Sequence, residues 1–203
     1  MSPTSLLILT VTQMLRALSS WLDKAASQEQ ASGKDAEALL SKRLAPDMHP
    51  LSAQVRFACF QARAAAHRLQ GQPLPDQLNE VRREGTGPGD QDGSMAEAQK
   101  DIADTISYLE GLAADALDGG AERQITLDLP TGIIFDMQGD QYARDWSLPQ
   151  FYFHLTVPYA ILRHHGMELG KADFVAHMGA YIRPGTLPPG PGAPGAARSL
   201  NPG

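Results

Sequence analysis

Residues 147–171, SLPQFYFHLTVPYAILRHHGMELGK, hold the densest concentration of groups that could do chemistry. His154 stands among Phe151, Tyr152 and Phe153, just ahead of Tyr159 and Arg163. Aromatic mass around one ionisable group on one helix makes a pocket wall. The rings supply apolar contact, the imidazole a donor and an acceptor, and the Arg163 guanidinium a seat for a carboxylate. The same residues also read as structure alone: a hydrogen-bonded core histidine, core aromatics, and an arginine paired with an acid of the third long helix. His164 and His165 close the helix, where imidazolium suits the negative end of the dipole. His67 and His177 read as surface residues. Gly170-Lys171-Ala172-Asp173 lacks the glycine-rich lead of a phosphate loop, and no nucleophile elbow frames a Ser/His/Asp triad.

The helix carrying His154 starts at Ser147 and Pro149 and runs to about His165, with Gly166 suited to a left-handed end. Pro158 inside it removes one backbone hydrogen bond, costs about 3 kcal/mol and predicts a kink one turn after His154. Three more long helices are expected. In the first, Leu7, Val11, Met14, Leu18, Trp21 and Ala25 alternate at steps of four and three, and Gly33 ends it. Asp35 to Leu44 is a helical connector. The second begins near Asp47 as N-cap, with Pro50 in its first turn. Its stripe is Met48, Leu51, Val55, Ala58, Ala62, Ala65 and Leu69, and Gly71 and Pro73 close it. Residues 71–93 read as a polar connection whose GTGPGDQDG run is a mobile loop. Ser94 with Glu97 forms a capping box for the third helix, which Gly119-Gly120 stops. Then the period changes from 3.6 to 2. Ile125, Leu127 and Leu129, a Pro130-Thr131-Gly132 turn and Ile133-Ile134-Phe135 predict a β-hairpin, which must pack on the helices to be stable. A last helix covers Lys171 to about Tyr181. The expected fold is all-α: an antiparallel four-helix bundle with a small β-hairpin inserted before the fourth long helix.

The chain has 203 residues, 42% of them apolar, enough for one packed core. Residues 1–182 form that domain. Residues 183–203, rich in Pro and Gly, read as a disordered tail. Net charge is −6, with Lys and Arg scattered, so phosphate-driven nucleic-acid binding and docking on an anionic membrane are not expected. No apolar run approaches the roughly 20 residues of a membrane span. The Leu6–Leu9 run lacks the basic lead and cleavage site of a signal peptide. Cys59 is the single cysteine, so neither an internal disulfide nor a cysteine-based zinc cluster is available. It lies on the apolar face of the second helix and reads as a buried, inert thiol. The expected location is cytoplasmic.

Three strings carry a resemblance to a known family: RLAPDMHPLSAQVRFAC (43–59), ITLDLP (125–130) and LPQFYFHLTVPYAILRHHGMELGKADF (148–174). With the order of elements, they resemble domain of unknown function family nineteen-ninety-three, within the DinB/YfiT-like superfamily, over about residues 4–175. That resemblance implies a four-helix bundle, frequent homodimers and, in many members, a divalent metal held by three histidines. It also implies thiol transfer in some of them. Carried onto this chain, His154 stands at the last ligand position. Gln150 occupies the position four residues earlier, on the same helix face, and His49 falls near the first. Imidazoles suit zinc, nickel or ferrous iron, whereas an amide is a weak ligand for them. Three readings follow. One is a metal-free small-molecule-binding bundle with a pocket of His154, Gln150, Tyr159, Arg163 and His49. The second is a metal-dependent transferase or hydrolase using His49, His154 and Gln150. The third is a structural or dimerising interaction protein.

Overall fold

The structure is a computed structural model and describes residues 2–85, 93–129 and 131–186. It is mostly helical, with one two-stranded antiparallel sheet. In chain order the elements are α1 (Pro3–Ala31), α2 (Leu51–Gln70), α3 (Asp76–Glu84), α4 (Met95–Glu110), β1 (Gln124–Asp128), β2 (Ile134–Gln138), α5 (Gly139–Gln141), α6 (Leu148–His164) and α7 (Lys171–Phe174). α1 packs against α4 and α6, and α2 packs against the same two, so these helices share one core.

The seam of α1 is buried at all six expected positions, and Trp21 has no exposed surface. Each such large side chain contributes about 1.5–3 kcal/mol by leaving water. By length and composition α1 could cross a membrane, contrary to the reading of the run lengths. Half of that apolar window is buried in the interior, as in a core helix. α2 is the central element, with α3, α4 and α6 all packed on it. Ala64, Ala65 and Ala66 are buried and let those neighbours approach closely.

Several boundaries differ from expectation. Asp47 is exposed and does not cap α2, which starts at Leu51 with an extended Pro50 at the N-cap position. The reason is local: His49 precedes a proline, and that position is sterically pushed out of the helical region. The connector after α1 is a single 3₁₀ turn, Ala36–Leu39, whose Asp35 cap accepts from the Glu37 amide. Within 71–93 lies the helix α3, which buries only Leu78, against Phe60 and Ala64. So little apolar content leaves no period to read. Residues 86–92 of the glycine-rich run lie outside the described residues. The Ser94/Glu97 capping box is present, but α4 ends at Glu110 rather than at Gly119-Gly120.

The hairpin pairs Gln124 with Gln138 through Asp128 with Ile134. Ile125 and Leu127 face the helices, whereas Ile134 and Phe135 are exposed. Pro130 of the expected turn lies outside the described residues. At the base of the hairpin three backbones meet. A Cβ on Gly120 would run into the Leu69 carbonyl, and one on Gly139 into the Gly120 carbonyl. This contact fixes where the chain re-enters the helices.

α6 starts at Leu148 with Ser147 in the N-cap position and Pro149 in its first turn, as expected, but Ser147 makes no side-chain cap hydrogen bond. It is buried with helical dihedrals, at the end of a π-helical turn, Tyr142–Ser147, that joins α5 to α6. α6 continues through Pro158, which has no N–H for the His154 carbonyl, and ends with Gly166 at φ 90°. The last expected helix divides into α7 and a 3₁₀ turn, Ala176–Tyr181. The Trp21 indole N–H donates to the Asp173 carbonyl at 3.0 Å and its ring stacks on Phe174, tying this segment to α1. Residues 187–203 of the expected tail lie outside the described residues.

Candidate functional site

His154 projects from α6 toward α2. Its Nδ1 lies 2.8 Å from the Gln54 side-chain oxygen, and Gln54 is almost wholly buried. With that oxygen as acceptor, the ring proton sits on Nδ1 and Nε2 remains an acceptor. Burial, and then the nearby His49, push the His154 pKa down to about 4, so the ring is neutral at pH 7. Phe57 lies between the two imidazoles, edge-on at 5.0 Å from His49 and 5.1 Å from His154. His49 reaches this place because the pre-proline segment is extended and leads into α2.

His49, Phe57 and His154 border a cavity of about 230 Å³ between α2, α3, α6 and the hairpin. Phe57, Phe60, Trp146 and Leu127 supply its apolar walls. Trp146 comes from the π-helical turn, an irregularity that recurs at functional sites. His49, His154, Gln61, Arg68, Arg82 and Asp128 supply the polar lining. The Gln61 side-chain oxygen and His49 Nδ1 are buried without a hydrogen-bond partner among the described residues. A buried acceptor left unpaired costs about 1–3 kcal/mol, so both atoms fit a site that receives a polar group. Arg68 donates to the Tyr142 hydroxyl at 3.1 Å and lies over its ring.

The structure brings His49 and His154 to one cavity and places the other candidates elsewhere. Gln150 is partly buried one turn before His154 and does not line the cavity. Tyr159 packs edge-on against Trp21 and Phe174. Arg163 is exposed and donates to the Met167 carbonyl at 3.3 Å, not to an acid of α4. At about 100° per residue, positions 159 and 163 point roughly 140° and 180° away from 154, so one helix cannot present all three to one pocket. His67 is buried, not on the surface, and stacks on Tyr108. Cys59 is buried as expected, and burial pushes its thiol up to about 12. Sequence reasoning passed over Gln61 and Arg68. The signal is their spacing: Gln54, Gln61 and Arg68 recur every seven residues, on one face of the alanine-rich α2.

The model of the family described as Domain of unknown function (DUF1993) matches residues 4–175. The chain belongs to this family. The chain is also similar to the crystal structure of a DinB family member protein from Shewanella denitrificans. Identity is 30% over 89% of this chain and 93% of that one, with a TM-score of 0.66. The DinB-like resemblance is thus borne out. No curated protein matches the chain.

The metal implied by that resemblance can be tested on this DUF1993 chain's own side chains. The Gln54 contact orients His154 as a ligand ring would be oriented, with one nitrogen held and the other freed. The donor set falls short, however. Among the described residues no three His, Cys, Asp or Glu side chains converge for a metal ion. Two imidazoles with the neutral Gln61 oxygen lack the third strong donor of a zinc, nickel or iron centre. The residues do not fit the group.

Proposed function

We propose that this protein is a small-molecule-binding DinB-like antiparallel four-helix bundle that works without a catalytic metal. Its ligand occupies the cavity between His49, His154 and the hairpin. The observation that carries this reading is that Gln61 and His49, each with a buried, unpartnered polar atom, both line a cavity of molecular size with aromatic walls. A cytoplasmic location suits the one buried thiol. The freed nitrogen of His154 favours a second reading, a metal-dependent transferase or hydrolase. The donor set weighs against it.

Two measurements on one preparation separate these readings. Metal content of untagged protein from metal-supplemented cells is expected well below one ion per chain. Ligand-observed NMR is expected to show saturable binding of single-ring compounds, lost when Gln61→Phe fills the cavity. Near-stoichiometric zinc, nickel or iron that vanishes in His154→Ala would replace the proposal with the metal-dependent reading.

A further inference from the structure

We infer that the cavity takes a single-ring aromatic acid carrying a hydroxyl group, with its carboxylate on Arg68 and its hydroxyl donating to Gln61. This deepens the small-molecule reading above and rests on it.

Size sets the first limit. A closed cavity of about 150 Å³ holds benzene, so this cleft of about 230 Å³, which opens to solvent, has room for one ring with small substituents. Phe57, Phe60 and Trp146 offer ring faces and edges against which a planar aromatic packs.

Charge sets the second. The chain as a whole is acidic, at −6, yet two arginines and one aspartate line this cavity. Arg82 donates to the Asp128 backbone carbonyl. Arg68 is partnered by the Tyr142 hydroxyl and ring, which leave its charge uncompensated, and no carboxylate pairs with it among the described residues. A guanidinium with spare donors beside an apolar cavity recognises a carboxylate in a forked, charge-assisted pair.

The third limit is the acceptors. Gln61, whose side-chain oxygen is buried and unpaired, and His154, whose Nε2 is an acceptor in the neutral ring, both line the cavity. Acceptors repel a second anion and call for an O–H or N–H donor, so the ligand has unlike ends. Gln61 and Arg68 stand two turns apart on α2, about 10 Å of rise. Seven residues is close to two full turns, so both leave the same face of α2, at a spacing that suits one ring with an acid at one end and a hydroxyl at the other.

The test is calorimetric titration of the full chain with 4-hydroxyphenylacetate, phenylacetate, 4-hydroxyphenylacetamide and tyramine. The hydroxy acid is expected to bind at least about tenfold more tightly than each of the others, since a buried polar group left unpaired penalises the analogue that lacks its partner. Arg68→Gln is expected to erase the preference over the amide while keeping that over phenylacetate. Gln61→Leu is expected to do the reverse. Each variant's retained preference shows that it is folded. Equal binding of acid and amide, or tighter binding of tyramine, would overturn this assignment and leave the cavity's role as a binding site standing. If neither these compounds nor indole bound at millimolar concentration, the small-molecule reading itself would fall.

Discussion

The neutrality of His154 makes the stability of this protein depend on pH in a way that one substitution isolates. In the unfolded chain an imidazole titrates near its ordinary value of about 6.5. In the fold, burial and His49 bring His154 down to about 4. Between those values the unfolded chain takes up a proton that the folded chain refuses. The contribution is therefore fully present above pH 6.5 and is lost as pH falls toward 4. At about 1.4 kcal/mol per pH unit the whole window amounts to roughly 3 kcal/mol. The ring keeps some contact with solvent at the cavity, so about 2 kcal/mol is the expected loss from pH 7.5 to 4.5. Other groups add to the acid sensitivity: burial and then Arg63 lower His67, and the Lys24 and Gly170 contacts hold Asp173 down. They are common to wild type and His154→Gln, so the comparison cancels them. Urea unfolding of both proteins at the two pH values should show wild type losing about 2 kcal/mol more than the variant. A difference under about 0.5 kcal/mol, or an NMR titration of the His154 ring with a midpoint at 6 or above, would refute the reasoning.

Gln54→Leu removes the partner of His154 Nδ1 and is expected to cost about 1–3 kcal/mol in urea unfolding, with larger shifts at the His154 ring than elsewhere in the NMR spectrum. Gly139→Ala forces a methyl group against the Gly120 carbonyl and is expected to cost about 1–3 kcal/mol or more; an unchanged melting temperature would show that the backbone contact at the hairpin base has slack. Cys59, buried with its thiol pushed up to about 12, should resist a disulfide reagent at pH 8 in the native state and react as one thiol per chain in urea. Fast labelling of the native protein would contradict that burial.

What could be read from the sequence follows how strongly each element repeats a pattern. The six-residue seam of α1 and the alternation of β1 are dense enough to place those elements, and all their inward positions are buried. α3 has two apolar residues, Leu78 and Val81, and only the leucine is buried, which is too few to set a period. The start of α2 was misplaced because Asp47 has the chemistry of a cap, while Pro50 decides the backbone of the residue before it. The π-helical turn at 142–147 follows directly on the hairpin base and α5, and no periodicity in YARDWS marks it. The same division holds at the site. His154 and His49 stand out by type, and the structure joins them. Gln61 and Arg68 look like ordinary helix residues until α3, α6 and the hairpin enclose that face of α2.

An organic ligand in the cavity beside His154 would lie against one of the chain's two tryptophans and away from the other. The two tryptophans make an internal control, since Trp146 lines the cavity and Trp21 lies in the core, stacked on Phe174. The most direct test is a ¹H–¹⁵N spectrum of the indole N–H groups during titration with 4-hydroxyphenylacetate and a set of single-ring fragments. A ligand in the cavity shifts the Trp146 signal saturably and leaves Trp21 unmoved. Both signals staying fixed at millimolar concentrations of every compound, or moving together, would contradict it.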